Sequence, residues 1–230
     1  MDETGNRLAP AASARTDIEI PLAGVRLKGI LARPFSPAGV VVFAHGSGSG
    51  RLSVRNQFVA ASLQREGFAT LLFDLLTARE EASERVTRHL RFDIALLAGR
   101  LLGVTRWLGH EPALASLRIG YFGASTGAAA ALVAAAQAPV SAVVSRGGRP
   151  DLAGASLPLV RAPTLLIVGG DDTEVIALNR HALALMTCDK ALSIVPGATH
   201  LFEEPGTLEE VTRLAGAWFK RHLGDARSVT

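Results

Sequence analysis

Apolar residues along this chain follow two alternating patterns. Residues 39–44 (Gly-Val-Val-Val-Phe-Ala), 69–73, 117–122, 140–144, 163–168 and 191–195 are short, nearly unbroken apolar runs of strand length. Such runs suit strands buried on both faces of a parallel sheet. Between them, residues 53–66, 126–136 and 174–186 read as helices, the first closed by Gly67. Val86, Leu90, Ile94, Leu97, Leu101, Val104 and Leu108 recur at steps of three and four, which predicts one long amphipathic helix. Ahead of these, residues 17–21 and 25–32 flank Ala23-Gly24 and predict an antiparallel hairpin. Thr207-Leu-Glu-Glu210 reads as a capping box that opens a closing helix, with Val211, Leu214, Trp218 and Leu223 facing the core. A hairpin followed by strand–helix repeats predicts an α/β domain, with a mostly parallel sheet and helices on both faces. No internal repeat appears. The polar residues 1–16 are expected to be a flexible segment, and 17–230 a single domain.

Composition narrows the class. Hydrophobic residues make up 48% but aromatics only 5%, so the core must be built mainly from Ala, Val and Leu. Lys and Arg exceed Asp and Glu by only three, 24 against 21, and Lys occurs only at 28, 190 and 220. The basic residues are scattered among acids, so no nucleic-acid partner is expected. The most apolar stretch, 127–144, is broken by Gln137, Pro139 and Ser141, which excludes it as a bilayer span. The first residues lack an apolar signal core, and a cytoplasmic location is expected. Cys188 stands alone, so no internal disulfide forms; it is expected to be a partly buried filler.

The chemistry lies in the loops that follow the strands. Gly123-Ala-Ser-Thr-Gly127 is G-x-S-x-G between a predicted strand and a predicted helix. That is the setting of a nucleophile elbow, a turn tight enough to require small residues around Ser125. A serine hydroxyl is a weak nucleophile until a base takes its proton. His200, in Pro196-Gly-Ala-Thr-His200 after the last strand, is in the right place for that base. His89, His110, His181 and His222 fall in or at the ends of predicted helices, and His45 is expected to shape its own loop. The orienting acid should lie between nucleophile and base in chain order. Gly169-Gly-Asp-Asp172 offers Asp171 and Asp172, and the other of the two is expected to cap the next helix. Two backbone amides, of Ser47 in His45-Gly-Ser47 and of Thr126, are the expected oxyanion hole. The glycines of this loop form neither nucleotide-binding signature, so no nucleotide cofactor is expected. Arg146 follows the 140–144 strand at the sheet edge where open α/β sheets bind ligands. It is a candidate substrate clamp, or else a pin on Asp151; Arg51 is a second candidate.

Taken in order, Phe43–Gly50, Gly123–Ala128, Ser145–Asp151, Val168–Asp172 and Pro196–Glu204 resemble the dienelactone-hydrolase-like group of the α/β-hydrolase superfamily. The resemblance spans about residues 18–223. It implies a sheet of about eight strands, places the acid at Asp172, and implies hydrolysis of a small-molecule ester with no cofactor or metal. Dienelactone hydrolases proper use a cysteine nucleophile, and here the position is Ser125. A carboxylesterase is therefore the expectation, with lactone hydrolysis, acyl transfer, peptide hydrolysis or a non-catalytic binding module as alternatives. Sequences of this kind also occur joined to phosphoribosyltransferase domains. No long insertion interrupts the strands, so no large lid is expected.

Overall fold

The computed structural model describes residues 14–224. Two strands, β1 (Ala14–Leu22) and β2 (Val25–Arg33), form the hairpin, and Gly24 turns it with a φ of 78°. There follow β3 (Val40–Ala44), α1 (Val54–Arg65), β4 (Ala69–Phe73), α2 (Ala78–Thr87) and α3 (Ile94–Leu108). The chain continues with β5 (Ile119–Ala124), α4 (Thr126–Ala135), β6 (Ala142–Arg146), β7 (Thr164–Gly169), α5 (Thr173–Leu185), β8 (Lys190–Val195) and α6 (Thr207–Leu223). The eight strands lie in the order β1-β2-β4-β3-β5-β6-β7-β8. β1, β2 and β4 pair antiparallel, and every pairing from β4 through β3 to β8 is parallel.

Successive strand residues face opposite sides of a sheet, and β3 shows it. Val40, Val42 and Ala44 join Leu101, Val104 and Leu132 on the side of α3 and α4. Val41 and Phe43 join Val59, Leu63, Val211 and Phe219 on the side of α1 and α6. Both faces are therefore covered, and function is left to the strand ends.

Four expectations are corrected. The flexible segment is placed too long: Ala14, Arg15 and Thr16 pair with Arg33, Ala32 and Leu31, and residues 1–13 lie outside the described residues. The ladders of β5 and β6 run two residues further than their apolar runs, pairing Gly123 with Ser145 and Ala124 with Arg146. The long helix over 86–108 is two helices. Arg88 is left-handed at φ 54°, and Val86 is 85% exposed. The buried carboxylate of Glu84 accepts hydrogen bonds from the Leu90 amide and Arg91 Nε, and Asp93 caps the restart at α3. Finally, Gly206 and not Thr207 caps α6; the Thr207 hydroxyl donates to the Glu204 carbonyl. The capping box that does form joins Thr77 and Glu80 at the start of α2.

Candidate active site

The predicted residues converge on the carboxyl ends of the parallel strands. Ser125 links β5 to α4 with φ 50° and ψ −122°, a conformation that L-residues adopt only under strain. The turn tolerates no side chain on either flank. A Cβ on Gly123 would stand 2.4 Å from the Ala128 Cα, and one on Gly127 would stand 2.2 Å from the Ala44 carbonyl oxygen. The glycines let the turn fold back against β3 and α4 while Ser125 stays partly exposed.

His200 is carried on the loop between β8 and α6. Its Nδ1 lies 2.6 Å from Asp172 Oδ2. Asp172 occupies the cap position of α5 but makes no capping hydrogen bond with its side chain, which is turned to the imidazole instead. Asp171 is exposed and does not cap α5 either; it is held through its backbone amide, which donates to the Ala198 carbonyl at 3.0 Å. Among the described residues, Ser125 Oγ makes no hydrogen bond to protein.

The side chains of the two residues expected to supply the oxyanion-hole amides meet. Ser47 Oγ and Thr126 Oγ1 lie 3.0 Å apart, tying the loop after β3 to the start of α4. Neither backbone N–H is consumed by a hydrogen bond among the described residues, and that of Thr126 belongs to the unpaired first turn of a helix.

Sequence reasoning pointed to His45 as shaping its loop, but did not single out Asp74 and Glu204, which hold these loops with it. His45 is buried; its Nε2 accepts the Leu75 amide at 2.9 Å, so the proton sits on Nδ1, facing the Gly46 carbonyl. Burial pulls its pKa down, outweighing the Gly46 carbonyl and the carboxylates of Asp74 and Glu81, so it is held neutral. Asp74 grips the far end of the same loop, accepting from the Arg51 amide at 2.8 Å and from the Arg51 guanidinium. Arg51, the second candidate for binding substrate, is thereby paired with Asp74. Glu204 holds the His200 loop, accepting from the Thr199 hydroxyl at 2.6 Å and the Thr199 amide at 3.1 Å. Those bonds hold the carboxyl below its usual range. Cys188 is half-buried, and burial raises its thiol pKa, as suits a filler. Among the described residues no cluster of His, Cys, Asp and Glu is arranged to hold a metal ion, and no helix is long and apolar enough to cross a membrane.

A mostly parallel eight-stranded sheet with an antiparallel hairpin at one edge and helices on both faces is the α/β-hydrolase fold. The chain belongs to the dienelactone hydrolase family, whose sequence profile matches residues 27–221. It is 56% identical to a dienelactone hydrolase from Anabaena variabilis of known crystal structure, with a TM-score of 0.91 over 92% of this chain and 99% of that one. Est1E from Butyrivibrio proteoclasticus shares the fold at 16% identity, with a TM-score of 0.73 over 89% of this chain and 98% of that one. A Mycobacterium tuberculosis protein provisionally named a phosphoribosyl transferase is 59% identical over 209 residues, which is 90% of this chain. The match covers only 46% of that relative, so the chain spans about half the length of the curated protein it resembles. The matching family and the Anabaena variabilis relative are both named for hydrolases.

Proposed function

We propose that the chain is a serine hydrolase that cleaves carboxylic esters through an acyl-enzyme intermediate. Ser125 is the nucleophile, His200 the base and Asp172 the carboxylate that orients it. The observation that carries this reading is the 2.6 Å contact between His200 Nδ1 and Asp172 Oδ2, at the same edge of the sheet as a serine on a strained elbow. With Nδ1–H donated to Asp172, the other ring nitrogen is free to accept a proton. Ser125 Oγ attacks the ester carbonyl and its proton passes to His200 Nε2. The carbonyl oxygen becomes an oxyanion facing the amides of Ser47 and Thr126, at the positive end of α4. Collapse expels the alcohol, which takes the proton from His200, and leaves the acyl group on Ser125. Water then attacks the acyl-enzyme with His200 again as base, releasing the acid. Catalytic hydrogen bonds commonly tighten only when substrate binds, which accommodates a Ser125 hydroxyl that is unengaged in the free protein.

Leu75, Leu76 and Leu97, with the charged Glu81 and Arg91, line a hollow of only about 10 Å³ next to Ser47 and Thr126, which leaves no room there for a long acyl chain. The test is a series of p-nitrophenyl esters of graded acyl length together with a simple lactone. Turnover should be greatest for short acyl chains, and Ser125→Ala should lower kcat by roughly 10⁴-fold or more. Equal hydrolysis by wild type and Ser125→Ala would defeat the proposal.

A further inference from the structure

Ser145–Asp151 supplies no reacting group, yet it lies against both Ser125 and His200. The expected pin to Asp151 is made by Arg149, through Nε and Nη2 at 2.9 and 2.7 Å, rather than by the buried Arg146. The backbone of this segment grips the nucleophile turn from both sides. The Ser125 amide donates to the Arg146 carbonyl at 3.3 Å, and the Ser125 carbonyl accepts from the Arg149 amide at 3.1 Å. A strained conformation such as that of Ser125 persists only where its surroundings over-determine it, and these two bonds contribute directly to that. Between them, Gly147 is left-handed at φ 50° and donates its amide to the Ile167 carbonyl of β7 at 2.8 Å. A Cβ on Gly147 would stand 3.0 Å from the His200 carbonyl oxygen and 3.7 Å from Cε1 of its ring, the carbon between the two nitrogens. A Cβ on Gly148 would stand 1.9 Å from Ser145 Oγ. The two glycines therefore let one loop pack against nucleophile and base together.

A single side chain holds this loop from the far side. Asn179 of α5 is fully buried, and its Nδ2 donates to the Gly148 carbonyl at 3.0 Å and to the Val175 carbonyl at 2.8 Å. Both partners are acceptors, and the amide nitrogen has two hydrogens to give them. The arrangement is costly. Asparagine is a poorer helix former than leucine, and the buried Asn179 Oδ1 has no partner among the described residues. Asn179 lies two turns beyond Asp172, so the helix that starts at the acid also carries the residue that holds the loop.

We propose that Asn179 is a positioning residue: through Gly148 it fixes the loop that holds the strained Ser125 turn in its working relation to His200. This role rests on the reading of Ser125 and His200 as nucleophile and base.

The test is Asn179→Leu, which keeps the approximate shape and removes both donors. It is compared with wild type and with Thr105→Val, which unpairs the buried Tyr121 hydroxyl in the body of the sheet and reports on stability alone. The readouts are kcat and KM for the best p-nitrophenyl ester, the rate of labelling by a fluorophosphonate, and the melting temperature, with all assays run well below melting. Asn179→Leu should lower kcat and the labelling rate together by about 10- to 100-fold, the scale of a misplacement of about 1 Å, with KM held within about two-fold. Thr105→Val should melt lower than wild type and keep its kcat. If Asn179→Leu does not fold, Asn179→Ala makes the same comparison. A wild-type kcat in the folded variant overturns the proposal. So does an equal fall of kcat in Thr105→Val, which would tie the loss to stability. A wild type that neither hydrolyses an ester nor takes the label overturns the hydrolase reading, and the positioning role with it.

Discussion

Asp171 and Asp172 are adjacent in sequence and chemically identical, yet their surroundings give them different work. Asp172 accepts from His200 while Asp171 stands exposed. Asp172→Asn should cost on the order of 10³ to 10⁴ in kcat, because an amide no longer selects the imidazole tautomer that can take the serine proton. Asp171→Asn should leave kcat within a few-fold. Steady-state kinetics on the two variants decides the matter, and the reverse ranking would move the acid to Asp171. His45 supports a prediction about stability. Its folded pKa lies below the ordinary 6.5, so the unfolded chain binds the extra proton more readily. The stabilisation from a neutral His45 is therefore complete above about pH 6.5 and declines as pH falls from there toward the lowered folded value. Denaturant unfolding at about pH 7.5 and about pH 5.5 should show a smaller pH dependence for His45→Gln than for wild type. An unchanged difference would mean that other groups carry it. The elbow motif and the chain order singled out Ser125 and His200 as candidates, and the family resemblance, not spacing, favoured Asp172 over Asp171, the carboxylate that the structure does set against His200. Asp74 and Arg55 were not singled out. Their partners, Arg51 and Glu203, are 23 and 148 positions away, and no local pattern encodes such contacts.

At the scale of elements, the strand-length apolar runs were read correctly where central strands are buried on both faces and leave little polar interruption, whereas β8, at the sheet edge, is only partly buried. Their ends were misjudged at β5 and β6, where the ladder continues through Gly123-Ala124 and Ser145-Arg146, residues whose composition resembles a loop. The break between α2 and α3 was masked by the regular spacing of Val86 and Leu90. The signals against one helix were present in Thr77-Ala-Arg-Glu80, which is the capping box of α2, and in Asp93, which caps α3. The packing of α3 on β5 contains one polar link. The Tyr121 hydroxyl, buried and with its pKa raised to about 12 by desolvation, lies 2.5 Å from Thr105 Oγ1. Thr105 Oγ1 in turn donates to the Leu101 carbonyl at 2.9 Å, so it accepts from the tyrosine. Thr105→Val leaves a buried hydroxyl without a partner and should cost about 1–3 kcal/mol. Tyr121→Phe removes the donor itself and should cost about 0.5–1.5 kcal/mol. Urea unfolding of both variants tests the ranking; a costlier Tyr121→Phe would show that shape, not the hydrogen bond, dominates there.

Across the whole molecule, the sheet accounts for where the chemistry sits. Parallel strands deliver Ser125, Arg146, Asp172 and His200 to one edge from four separate connections, so the site is assembled only when the sheet is complete. That convergence was foreseeable from the strand–helix order. Both sheet faces are covered by helices. The central claim is that Ser125 is activated by His200. The direct measurement is reaction with a fluorophosphonate, followed by mass spectrometry of the intact chain and its peptides, because a phosphonyl group transfers only to an activated hydroxyl. The account predicts one adduct, on Ser125, absent in Ser125→Ala and strongly slowed in Asp172→Asn. No adduct on the wild type, or an adduct that persists in Ser125→Ala, would contradict it.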